Sequence, residues 1–168
     1  LTNGLNAYET NYVFAPQTSS LALHTLSPFW YPVWAALEPS VGTISAMLGV
    51  YFVALVLNGY VFHVFLEEQR SPAVLALIGG VLLQGSALMV ESLRWTMVNL
   101  MGWFWIPLVV LLWLRIARQT KGALFWSIVL GVTLWAMILT DLQYAVFLAI
   151  VFFPLLMWSL AYPILQAR

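Results

Sequence analysis

Arg115-Ile116-Ala117-Arg118-Gln119-Thr120-Lys121 is the stretch whose reading decides the fold, because it puts three of the chain's six basic residues into one short break between two long apolar runs. Lys and Arg in short loops near helix ends mark the cytoplasmic side of a membrane. The break therefore gives a side to every other segment once the flanking helices are counted.

Composition sets the class in which that count is made. Of 168 residues, 63% are hydrophobic and only 7% charged, against roughly 25% charged in an ordinary soluble domain. Six acidic and six basic residues cannot cover a soluble protein of this length with a polar surface. An all-α, polytopic transmembrane helical bundle is expected instead. The charges cancel, so no global field favours nucleic acid, and the expected partners are membrane lipids and integral-membrane proteins. With no cysteine, disulfides, thiolate metal sites and Cys nucleophiles are excluded.

Working outward, about five spans are expected. Residues 1–20 are polar, rich in Asn, Thr, Ser and Tyr, and carry Pro16, which reads as an extramembrane loop. They have no basic region followed by an apolar one, so they do not read as a signal peptide. The chain opens on Leu1, and the expectation is an excerpt or processed product of something longer. Leu21 to Leu37 is apolar and aromatic but interrupted by Pro28 and Pro32. Such a segment suits either the headgroup region or a protein-covered core position. Residues 1–40 thus form an extracytoplasmic and interfacial segment, and residues 41–168 a transmembrane domain.

Ser40 stands where an N-cap is wanted, and Val41 to Leu66 follows as the first span. Its 26 residues reach about 39 Å at 1.5 Å per residue, enough to cross a hydrocarbon core of about 30 Å with tilt. Glu67 to Arg70 ends it, and Pro72 to Val90 makes the second span, in which Ala76 and Gly80 have the small-xxx-small spacing that lets helices approach closely. A polar break from Glu91 to Asn99 leads to a third span, Leu100 to Leu114, with Pro107 as an expected kink. Gly122 to Leu139 and Leu142 to Tyr162 are the fourth and fifth, joined by the tight turn Thr140-Asp141.

If Arg115 to Lys121 is cytoplasmic, alternation places Arg70 and Arg168 inside as well, and only Arg94 among the six basic residues outside. In a bacterial cell that makes an inner-membrane protein with residues 1–40, the Glu91 region and Asp141 on the extracytoplasmic face. Arg94, Asp141, Arg115, Arg118 and Lys121 are the expected structural charges.

The outer face then gathers Glu9, His24, Glu38, Glu91, Arg94 and Asp141, with Asn99 and Tyr144 beside them. Asp141 admits two roles. A carboxylate in a tight turn at the membrane edge can bind substrate or handle a proton. It can equally cap the fifth helix, where Asp is a preferred residue near the positive end of the dipole, and that role has precedence. Glu91 and Arg94 stand three apart and pair if the segment is helical. His24 and His63 fall on opposite faces and make no metal or haem site. Trp95, Trp103 and Trp105 near one boundary, and Trp113 and Trp126 near the other, read as interfacial belts. There is no glycine-rich phosphate loop, nucleophile elbow or thiol redox pair, and no cofactor or metal is expected.

The run Tyr12-Val13-Phe14-Ala15-Pro16-Gln17-Thr18-Ser19-Ser20-Leu21-Ala22-Leu23-His24-Thr25-Leu26-Ser27-Pro28, followed later by Thr140-Asp141-Leu142-Gln143-Tyr144-Ala145-Val146-Phe147, resembles bacterial polytopic glycosyltransferases of the GT-C type. Members often carry His-Thr-x-Ser-Pro, as His24 to Pro28 do here, and Thr-Asp-x-x-Tyr, as Thr140 to Tyr144 do. The resemblance implies a helical bundle that takes a sugar from a polyprenyl-phosphate donor at the extracytoplasmic face. In that family an acidic motif follows an initial transmembrane helix, and neither stands in residues 1–20, where Glu9-Thr10-Asn11 is no substitute. The resemblance therefore supports architecture more than activity.

Three functions follow as expectations. The first is a non-catalytic accessory subunit packed in a larger membrane complex, an electron-transferring, quinol-oxidising assembly of the alternative complex III type being one conjectural host. The second is a glycosyltransferase, or part of one, with Asp141, Glu91 and His24 as candidate catalytic residues lining an outer pocket. A transporter comes third, since no paired half-repeats or mid-membrane charges are evident.

Overall fold

A computed structural model describes residues 9–10, 19–20, 27–94, 98–118 and 122–166. His24, Trp95, Lys121 and Arg168 lie outside the described residues. Two short strands, β1 (Glu9–Thr10) and β2 (Ser19–Ser20), pair antiparallel, and the remaining elements are helical. After a 3₁₀ turn at Pro28–Trp30 come α1 (Tyr31–Val41), α2 (Thr43–Glu68), α3 (Ala73–Gln84) and α4 (Ala87–Arg94). A second 3₁₀ turn, Val98–Met101, precedes α5 (Trp105–Arg118), α6 (Ala123–Thr140) and α7 (Leu142–Gln166). The chain is an all-α, polytopic helical bundle.

Among the described residues, four stretches are long and apolar enough to cross a membrane: Thr43–Glu68, Ala73–Arg94, Val98–Arg118 and Ala123–Thr140. α7 is one helix from Leu142 to Gln166, and its first part, Leu142–Pro154, is apolar. The second span runs on through a break at Gly85 and Ser86, where Ser86 Oγ accepts the Met89 N–H at 3.4 Å and so caps α4. Glu91 and Arg94 consequently sit on helix rather than in the expected polar loop.

Two local expectations are corrected. Ser40 is not an N-cap: it lies inside α1, and its hydroxyl donates back to Leu37 O at 2.9 Å. The chain breaks instead at Gly42, whose φ of 79° lies in the region that glycine enters freely. Pro107 does not kink a helix, because α5 starts at Trp105 and places the proline in its first turn, where a missing N–H leaves no bond unmade. The interruption falls earlier, in the non-helical residues Gly102 to Phe104.

α2 is the central element, packed against α1, α3, α5 and the Val98–Met101 turn. Ala46, Val50, Ala54 and Asn58, four residues apart, are buried on one face. Ile44, Leu48, Phe52, Val56 and Tyr60, also four apart, are exposed on another. An exposed apolar stripe of that length is unfavourable in water and suits a hydrocarbon surround. Trp30, just before α1, is buried in the same core as Val50, Phe104 and Met137, so the aromatic segment is protein-covered at that position.

The Arg70 end of α2 closes with Arg70 in the left-handed region (φ 66°), Arg70 N–H bonded to Glu67 O at 2.8 Å and Ser71 N–H to Leu66 O at 3.1 Å. That reversal sets α3 against α2. Ala76 and Gly80 face the contact, as their spacing predicts. A Cβ on Gly80 would stand 2.6 Å from the Gly59 carbonyl oxygen, a backbone atom that cannot step aside. Gly131, on α6, has open space where a Cβ would go.

Gly80→Ala is therefore expected to push α3 off α2 and lower stability by about 1–3 kcal/mol, the range for overpacking. Gly131→Ala should be neutral or slightly stabilising. Thermal unfolding of both variants in the same detergent checks the contrast.

Candidate functional site

Asp141 is the whole connection between α6 and α7, in extended conformation (φ −165°, ψ 133°). Its Oδ1 accepts the Gln143 N–H at 2.8 Å, the bond of a helix N-cap, as the capping reading expects. Its Oδ2 accepts from Asn99 Nδ2 at 2.7 Å, which ties the turn before α5 to the start of α7. The residue is only 2% exposed, so both bonds form away from bulk water.

The neighbours extend this arrangement. Thr140 Oγ1 accepts from Trp105 Nε1 at 3.0 Å and donates to Ala136 O at 3.0 Å. Tyr144 OH accepts the Gly102 N–H at 2.8 Å, within a hydrogen-bonded site closed to solvent. Gly102 is required by this closeness, since a Cβ there would come within 2.9 Å of the Trp105 ring and 3.0 Å of both Thr140 and Tyr144. Trp103 packs edge-on to Tyr144 at 5.9 Å and stacks on Phe147 at 5.8 Å. The belt reading of Trp105 is thereby corrected: it is a buried core residue, brought inward by the turn at Gly102 to Phe104 and held there by Thr140. Trp113 is the more exposed ring, edge-on to Phe152 at 5.2 Å.

Asp141, Asn99 and Tyr144, grouped from sequence, thus meet in the structure. Glu91 is paired with Arg94 at 3.4 Å on the exposed side of α4, as their spacing predicts. Glu38 accepts from Thr43 Oγ1 at 2.8 Å and bridges the break at Gly42. Of the proposed catalytic set, Asp141 is buried and Glu91 exposed, while His24 is outside the described residues.

At the opposite end Arg115 donates to Glu68 Oε1 through Nε at 3.0 Å and also through Nη2, and its guanidinium lies 4.9 Å over the Trp126 ring. Arg118 reaches the Glu68 carbonyl at 3.5 Å and Gln69 Oε1 at 3.4 Å. These bonds put the Glu67–Arg70 break and the end of α5 on one side of the bundle, as alternation requires. Both arginines also sit in the last turn of α5, where positive charge is favoured by the helix dipole.

Two amides escaped the sequence reading. Asn58, fully buried in α2, donates through Nδ2 to Ala54 O at 2.8 Å and to Met101 O at 2.6 Å. Gln84 donates from α3 to Leu55 O on α2 at 2.9 Å. The available signal was their position: each is an amide inside an otherwise apolar span, where a polar group needs a partner on a neighbouring helix.

Among the described residues no group of three or more His, Cys, Asp or Glu stands where it could hold a metal ion. What fold and site define is a polytopic helical membrane protein with one end knit together by side-chain hydrogen bonds. No family model matches the chain, and neither a curated protein nor a solved structure does.

Tyr144→Phe removes the acceptor from the buried Gly102 N–H and is expected to lower stability by about 1–3 kcal/mol. Asp141→Ala should lower it more than Asp141→Asn, because an amide oxygen can still cap Gln143 whereas alanine frees both donors. Unfolding temperatures of the three variants in detergent give the order.

Proposed function

We propose that the chain acts as a non-catalytic integral-membrane subunit that packs into a larger membrane complex. The observation that carries this reading is the state of Asp141: both carboxylate oxygens are used in holding α7 to the turn before α5. A carboxylate occupied in that way serves architecture, since reaction at it would cost the cap and the Asn99 bond together. The exposed stripe from Ile44 to Tyr60 supports the same reading, as a face broad enough for lipid or another helix. An electron-transferring, quinol-oxidising assembly is the host to test first.

Mild-detergent extraction, a native gel and mass spectrometry of the band make that test. Stoichiometric migration with other membrane subunits, with Asp141→Asn reducing the amount of complex but not the turnover of what assembles, is the expected result. A band containing this chain alone that transfers sugar from a polyprenyl-phosphate donor, and loses the activity in Asp141→Asn, would replace the reading with the glycosyltransferase one.

The same proposal places the chain in the inner membrane, with the Arg115 end cytoplasmic and the Asp141 end extracytoplasmic, on the excess of basic residues at the former. A chain without cysteine is a ready background for testing this. Glu38→Cys should react with a membrane-impermeant maleimide in intact spheroplasts, and Arg118→Cys only after permeabilisation. The reverse pattern would invert the assignment.

A further inference from the structure

At the Arg115 end, basic residues from two separate segments come together. Arg118, in the last turn of α5, reaches Glu68 O at 3.5 Å and Gln69 Oε1 at 3.4 Å, so its guanidinium stands beside the residues that directly precede Arg70. Both Arg70 and Arg118 are exposed. Neither has a carboxylate partner among the described residues, and the two acids at this end are engaged elsewhere. Glu68 holds Arg115, while Glu67 turns back along α2 to within 3.6 Å of His63, one helical turn away. Arg118 spends one N–H of each terminal nitrogen on a neutral oxygen, which fixes the guanidinium without balancing its charge. Its Nε–H and the second hydrogen on each terminal nitrogen remain to donate.

We infer that this end binds the phosphodiester of an anionic glycerophospholipid, with Arg118 and Arg70 donating to its non-bridging oxygens. Charge complementarity selects the headgroup. A guanidinium presents a planar fork of N–H donors that matches phosphate oxygens. A zwitterionic lipid offers the same phosphate with a cation attached, which a neighbouring pair of arginines repels, so the site discriminates in favour of net negative charge. The surroundings select a lipid over free phosphate. These arginines end membrane-spanning segments, where headgroups line the bilayer. Apolar surface starts close by: Leu124 and Phe125 are exposed at the start of α6, and the Trp126 ring lies 4.9 Å under the Arg115 guanidinium. An acyl chain gains a surface there, whereas inorganic phosphate gains nothing. Phosphate headgroups line both faces of a bilayer, so such a site works on either side.

The test uses the full chain in nanodiscs made with equal amounts of phosphatidylglycerol and phosphatidylcholine, released for native mass spectrometry so that retained lipids are counted by class. Phosphatidylglycerol is expected to be retained over phosphatidylcholine. Arg118→Gln and Arg70→Gln should each cut that preference about fivefold, the scale of one arginine at a charged membrane surface. Arg94→Gln, beside Glu91 at the other end, should leave it unchanged, and millimolar inorganic phosphate should not displace the lipid. If Arg118→Gln fails to fold for want of its bonds to the end of α2, Arg70→Gln carries the comparison, since the Arg70 side chain makes no bond among the described residues. Equal retention of the two lipids, a preference that survives the substitutions, an equal loss in Arg94→Gln, or displacement by phosphate would each overturn the site.

Discussion

Irregular backbone at membrane depth must find its hydrogen bonds inside the protein, and the residues from Val98 to Phe104 are where this chain meets that constraint. Three separate segments answer it. Asn58 of α2 donates to Met101 O, Tyr144 of α7 accepts from Gly102 N–H, and Asn99 donates to Asp141 in the link between α6 and α7. Each bond joins residues more than 40 positions apart, so one turn gathers α2, α5, α6 and α7. Glycine at 102 then becomes obligatory, because the elements drawn together by these bonds leave no room for a Cβ.

The two ends of the bundle are held by different physics. At the Asp141 end, the Asp141 carboxylate and the Thr140 and Tyr144 hydroxyls are buried and hydrogen-bonded, so that removing one of their partners would leave a polar group unpaired away from water. At the Arg115 end the fastening is ionic and partly solvated: Glu68 with Arg115, backed by Trp126 and by Arg118 on Gln69. Exposed pairs of that kind contribute little individually. Between the ends, the Gly59–Gly80 contact lets backbones approach, so van der Waals packing and Gln84 replace the hydrophobic drive that lipid cannot supply.

Runs of apolar residues divided by charge-bearing breaks made the spans legible, and α2 is displaced by only two residues at each end from the expected one. The Glu91–Arg94 pair, the Ala76–Gly80 face and the Asp141 cap were legible too, because each follows from local spacing on a helix. What was not legible depends on partners distant in sequence. Ser40 resembled a cap until α1 absorbed it, Trp105 resembled a belt residue until Thr140 claimed its indole, and Asn58 carried no local hint that Met101 would accept from it. In the candidate site, the membership of Asp141, Asn99 and Tyr144 could be read, but not the use of both Asp141 oxygens, since that needs the register of α5 against α7.

The single-residue join at Asp141 also constrains biogenesis. With a single residue between them, α6 and α7 have no slack and pair as one helical hairpin. Asp141 rides at the tip of that hairpin, and every side chain it will bond apart from its own cap already stands earlier in the chain. This hairpin is thus received by a turn synthesised before it, which can only then be completed, so the order of translation and the order of closure coincide at this end of the bundle.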